Sequence, residues 1–134
     1  MLRKLAGALA ATALLAVAAP AAAASDPQAD LFVQWNPTSR PTEVYSYTIT
    51  CDPDGGTAET DWYMDVWRAC DDLRQAGGDL DKLYNQGGAK CPPTTNGALR
   101  TRITGTAYGK TINRDEQWSG WTCLRSTYGW LFIY

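Results

Sequence analysis

Cysteine is the residue whose number and spacing point most directly to chemistry. Cys51, Cys70, Cys91 and Cys123 are separated by 19, 21 and 32 residues, and a zinc site needs two close pairs of ligands that these gaps do not supply. Disulfides are the expectation for an even count in a small domain of this kind. Of the three pairings open to four cysteines, we expect Cys51–Cys70 and Cys91–Cys123: the first staples a strand end to a nearby helix, and the second ties the ends of the segment that follows. Histidine is absent from the chain, which removes the usual general base, the Ser/His and Cys/His nucleophile pairs and the commonest zinc ligand. No metal or cofactor is expected, and the chain does not read as an enzyme. Glu59, Asp61 and Asp65 form a carboxylate cluster, and paired carboxylates can hydrolyse glycosides. A solvated helix start, where the dipole favours negative charge, accounts for them more simply. Arg100 and Arg102 alternate along one strand, as on an exposed sheet face. Trp118 and Trp121 flank Ser119-Gly120 and could form a small carbohydrate platform. Pro92-Pro93-Thr94-Thr95-Asn96-Gly97 has the composition of a surface connection.

The elements that must position these residues follow from length and patterning. The chain has 134 residues, 45% apolar and 19% charged, enough for one core and typical of a folding sequence. Arg3 and Lys4 precede an uncharged Ala/Leu-rich run from Leu5 to Ala19, and Ala22-Ala23-Ala24 supplies a small-residue cleavage site before Ser25. This is the pattern of a secretory signal peptide over residues 1–24. The run before Pro20 is shorter than the ~20 residues that cross a bilayer. The mature chain is then a single secreted, extracellular domain, 25–134, with no membrane attachment after cleavage. Without Arg3 and Lys4, ten basic residues face fourteen acidic ones, a net charge of −4, so a nucleic-acid partner is not expected.

Leu31 to Trp35 reads as a first strand, closed by the turn-rich 36–41. In the second, Tyr45, Tyr47, Ile49 and Cys51 share one face while Ser46, Thr48 and Thr50 share the other. Asp52 to Gly56 breaks that strand, and Thr57 is placed to cap a helix in which Tyr63, Val66, Trp67, Cys70 and Leu73 make one apolar stripe ending at Gly77-Gly78. Asp79 can cap a second, shorter helix over Leu80 to Tyr84. Alternation from Leu99, a turn at Tyr108-Gly109-Lys110 and a run from Thr111 to Trp118 predict a hairpin. Gly129 to Tyr134 is apolar enough to be a buried strand. The sum is an α+β domain: an antiparallel sheet of about five strands, with one main helix and a short second one packed on one face.

The order of these parts resembles the Streptomyces subtilisin inhibitor family. The likeness is carried by Thr50-Cys51, by Ala69-Cys70 with Leu73, by Gly77-Gly78-Asp79-Leu80 with Leu83, and by Cys91-Pro92. It continues through Gly109-Lys110 and Cys123 to Phe132, over about the last ninety residues. The resemblance implies a secreted, homodimeric inhibitor of serine proteases with a five-stranded antiparallel sheet and two sequential disulfides. It also implies that the inhibitory loop is the segment around the third cysteine: Lys90, Cys91, Pro92, Pro93, Thr94, Thr95 and Asn96, with Pro93–Thr94 as the reactive bond. Such a loop acts as a substrate held in one shape, so that little freedom is lost on binding. Pro92-Pro93 fixes two φ angles and a Cys91–Cys123 bridge anchors one end.

Pro93 departs from the family pattern, which places Met, Lys or a similar long side chain before the scissile bond to fill the protease's specificity pocket. Proline fills no such pocket, and it lacks the N–H that a bound substrate donates. The implied partner is therefore a subtilisin-like protease or one that accepts proline at this position. The alternative from another class is a non-inhibitory extracellular binding module on the same scaffold, with a glycan or protein partner.

Overall fold

The structure is a computed structural model that describes residues 26–58, 65–83 and 91–132. Five strands form one antiparallel sheet: β1 (Ala29–Pro37), β2 (Tyr45–Cys51), β3 (Gly55–Ala58), β4 (Leu99–Ala107) and β5 (Lys110–Trp118), in the order β3-β2-β1-β4-β5. β1 lies at the centre because it alternates cleanly: Ala29, Leu31, Val33 and Trp35 are buried, whereas Asp30 and Phe32 are exposed. The register carries that face across the sheet, setting Ile49 and Tyr47 of β2 beside Leu31 and Val33, and Ile103 and Thr101 of β4 beside Val33 and Trp35. Thr101 is fully buried here because its Oγ1 accepts the indole N–H of buried Trp118 at 2.9 Å.

The helices cover this inner face. α1 (Val66–Gln75) buries Ala69, Cys70 and Leu73, and α2 (Trp121–Tyr128) buries Leu124 and Tyr128. Two short 3₁₀ turns, Leu80–Lys82 and Gly129–Phe132, complete the layer. Cys51–Cys70 ties β2 to α1, and Cys91–Cys123 ties the segment before β4 to α2, the two pairings expected from the sequence. The two-layer α+β architecture is likewise as expected. Asp79 caps the first 3₁₀ turn by accepting from the Asp81 N–H at 3.2 Å, although Tyr84 lies outside the described residues.

Four expectations change. First, Thr57 caps no helix: it sits in β3 opposite Thr48, and the cap of α1 is Asp65, whose Oδ1 accepts the Arg68 N–H at 3.1 Å. Gly55 and Gly56 carry no strand signal of their own, so β3 exists through its ladder to β2. Glu59, Asp61 and Tyr63 lie outside the described residues. Second, Trp67 is not part of the buried stripe but is 73% exposed. At 100° per residue it stands about 110° round the helix from the centre of the Val66, Ala69, Cys70 and Leu73 arc. Third, the described part of the apolar C-terminal stretch is not a strand, and Ile133 and Tyr134 lie outside the described residues. Gly129–Phe132 is a 3₁₀ turn continuing α2, with Leu131 and Phe132 buried on the sheet, and the fifth strand is β3. A short apolar run looks the same whether it is buried as helix or strand. Here the Leu131 carbonyl is taken by the Tyr47 hydroxyl rather than by a sheet neighbour.

The carbohydrate platform also dissolves. Trp118 ends β5 and is 1% exposed, and Trp121 opens α2 with its ring edge-on to Trp35 at 4.5 Å. Trp35 is stacked in turn on Tyr45 at 4.2 Å. These aromatics form the wall of the core at one end of the sheet.

Candidate functional site

Between Cys91 and β4 the chain has no regular structure, and Pro92, Pro93, Thr94, Thr95 and Asn96 are all exposed. The segment is nevertheless fastened along its length. Cys91 is bridged to α2, and its carbonyl accepts from Thr127 Oγ1 at 3.2 Å. Midway, the Thr94 N–H donates to the Gln117 carbonyl of β5 at 2.8 Å. At the far end the Gly97 N–H donates to Gln117 Oε1 at 3.1 Å, and the Gly97 carbonyl accepts from Thr38 Oγ1 at 2.8 Å. The Thr38 N–H takes the next carbonyl, that of Ala98, at 2.9 Å. Each bond is worth about 0.5–1.5 kcal/mol net. Together they hold an exposed segment to a rigid sheet.

Gly97 makes the closest of these contacts. A Cβ at this position would lie 2.4 Å from the Trp118 carbonyl oxygen and 2.5 Å from its nitrogen, so only glycine lets the loop lie against the end of β5. The Pro93–Thr94 peptide is trans, and in a planar trans peptide the carbonyl and the N–H point opposite ways. With the Thr94 N–H turned inward onto β5, the Pro93 carbonyl oxygen is turned outward.

The loop stands as a ridge between two open hollows. One, of about 600 Å³, is lined by Pro93, Thr94, Thr95, Arg100, Asp115 and Gln117 among others. The other, of about 360 Å³, reaches from Pro92 and Pro93 to Arg114, Glu116 and Tyr128. In the first, Asp115 receives both arms of Arg100 at 2.7 and 2.8 Å and Arg102 at 2.9 Å. The Arg100 and then the Arg102 hydrogen bonds hold its carboxyl down at about 2. In the second, Tyr128 donates to Glu116, and Arg114 reaches Glu116 at 3.4 Å and Asp81 at 2.8 Å. Burial and then the Glu116 partner push the Tyr128 hydroxyl well above the usual phenol range. Both hollows thus have walls set by paired charges.

A further charged group lies away from the loop. Arg74 reaches Asp52 at 2.8 Å and also Asp54, and the Tyr108 hydroxyl donates to Asp52 at 2.6 Å. The Tyr108 bond and then Arg74 hold the Asp52 carboxyl below its ordinary value, while burial and then Asp52 push Tyr108 up to about 12. The group joins the β2–β3 turn to α1 and to the β4–β5 turn. Cys51, Asp54 and Cys70 converge closely enough to suggest metal ligands, but both sulfurs are in the disulfide. The carboxylate cluster considered for hydrolysis leaves only Asp65 among the described residues, and it caps α1.

Of the residues singled out for the loop, Cys91, Pro92, Pro93, Thr94, Thr95 and Asn96 come together on the ridge, and Lys90 lies outside the described residues. Thr38, Gln117 and Thr127, which fasten the loop, were not singled out. They come from the β1 end, the β5 end and α2, and nothing local in the sequence marks them. Gly97 was the one available signal, a glycine immediately beyond an exposed polar run.

A two-layer disulfide-bonded scaffold thus holds one short exposed segment, residues 92–96, in a set shape. The chain matches the family model described as subtilisin inhibitor-like over residues 28–120, and it belongs to that family. No curated protein matches the chain with significant similarity.

Proposed function

We propose that this protein inhibits a serine endopeptidase by presenting Pro92 to Asn96 as a substrate-like loop, with Pro93–Thr94 as the bond offered. The observation that carries the reading is the inward Thr94 N–H bond to Gln117, which leaves the Pro93 carbonyl facing solvent where a protease's oxyanion hole can take it. After attack, the amine of Thr94 would remain tethered to β5 beside the acyl group, which favours resealing. The chemistry belongs to the protease. The chain has no histidine to serve as a general base, and the proposed role calls on no cofactor or metal.

Secretion is part of the proposal: residues 1–24 act as the signal peptide and the mature chain starts at Ser25. No helix among the described residues is long and apolar enough to cross a membrane. We also assign a homodimer, paired through the outer face of the sheet, where Phe32 is 38% exposed among threonines and charged residues. The binding-module alternative keeps little support, because Trp118 and Trp121 face the core and the exposed rings of Phe32 and Trp67 lie on different elements, β1 and α1, rather than in one row.

The test is an inhibition screen of the mature protein against subtilisin, trypsin and a proline-specific serine endopeptidase. Inhibition is expected to be strongest for the enzyme that accepts proline. If none of the three is inhibited at micromolar protein, the inhibitor reading fails and the binding-module reading replaces it.

A further inference from the structure

The presented loop carries a second chemistry that involves no protease. Asn96 is exposed and is followed by Gly97, and before glycine the side-chain carboxamide and the next backbone nitrogen meet with no Cβ between them. The glycine cannot be exchanged for another residue, since a Cβ would fall 2.4 Å from the Trp118 carbonyl oxygen. Tight docking on β5 therefore builds an Asn-Gly pair into the loop. The same docking restrains it. The Gly97 nitrogen has its hydrogen on Gln117 Oε1 at 3.1 Å, and the Gly97 carbonyl is held by Thr38 at 2.8 Å. To attack the Asn96 side chain, that nitrogen must give up its proton and swing toward Cγ, and a docked Gly97 does neither.

We propose that Asn96 is a deamidation site of the presented loop and that the Gln117 side chain is the latch that holds the reaction back. With the latch open, the Gly97 nitrogen bonds to Asn96 Cγ and closes a five-membered succinimide. The Cγ–Nδ2 bond breaks, and the side-chain nitrogen leaves as ammonia, carrying the proton lost from Gly97. Water then opens the ring at either carbonyl to give aspartate or isoaspartate. No oxidant, reductant or enzyme enters the balance. Isoaspartate adds one atom to the main chain between Thr94 and Gly97, the two points at which Gln117 holds the loop, and both products add a negative charge. The isoaspartate loop no longer fits both fastenings, so in that product the presented shape is lost irreversibly.

The experiment holds the mature protein in mildly alkaline buffer at physiological temperature and follows Asn96 by peptide-mapping mass spectrometry, with isoaspartate detected separately. Asn113, in the middle of β5, is the internal control. Gln117→Ala is expected to speed deamidation at Asn96 about twofold to tenfold, the rate equivalent of one hydrogen bond. Gln117→Glu keeps an oxygen for the Gly97 N–H and is expected to stay near the wild-type rate. The wild-type chain, reduced and unfolded in urea, is expected to react faster than the native one. Equal rates for native and unfolded chain, a folded Gln117→Ala no faster than wild type, or a Gln117→Glu as fast as Gln117→Ala would each overturn the proposal. Because mass is the readout, the result stands apart from whether any protease is inhibited.

Discussion

Pro93 sets the demand that the loop makes on its target. Its ring reaches into no deep pocket, and its missing N–H leaves an acceptor in the protease unpaired, at a cost of roughly 1–3 kcal/mol. Replacing it should therefore matter more than replacing its exposed neighbours. Pro93→Met is expected to tighten inhibition of subtilisin by about tenfold to a hundredfold, read as the inhibition constant. Asp115 governs a different property. Its folded value of about 2 lies below the ordinary Asp range of about 3.9. The stabilisation is therefore present above about pH 4 and is lost as pH falls through about 2. Thermal unfolding of Asp115→Asn is expected to show a flatter acid limb than wild type, and added salt should narrow the difference, since the cluster is exposed. At this scale the sequence was informative about type and silent about partner: Arg100 and Arg102 read as one exposed strand face, but that Asp115 would receive both is a consequence of β4–β5 register.

At the scale of elements, the loop depends on what it is fastened to. Replacing both Cys91 and Cys123 by Ser removes the bridge to α2, which typically costs about 2–4 kcal/mol. Urea unfolding should report that loss, and amide exchange at Thr94 is expected to quicken while the β1–β4 ladder stays protected. Gly97→Ala acts from the other end, forcing the loop off Trp118 at a cost of about 1–3 kcal/mol in unfolding free energy. Four of the five strands were legible, because β1, β2, β4 and β5 have one face buried and alternate with period two. β3 was not legible, since Gly55-Gly56-Thr57 has no alternation and pairs through its backbone. The C-terminal stretch was legible as buried but not as helical. With β3 and β5 already forming the two edges, its apolar residues pack onto the inner face instead.

Among the described residues, helices cover the inner face of the sheet and none lies on the outer face. If pairing uses the outer face, light scattering should give twice the mass of the mature chain at micromolar concentration, and Phe32→Asp should yield a folded monomer, since Phe32 points away from the core. A wild-type monomer at all concentrations would remove that assignment. What the sequence determined by itself was encoded locally: the alternation of four strands, the Asp79 cap, the breakers, and a cysteine spacing that admitted the observed bridges. Only the tertiary structure decided how the candidate loop is held, because Thr38, Gln117 and Thr127 lie 59, 20 and 36 residues from their partners Gly97, Gly97 and Cys91 respectively. Hydrogen bonds across such separations are set by where strands end in space, and no local pattern of residue types records that.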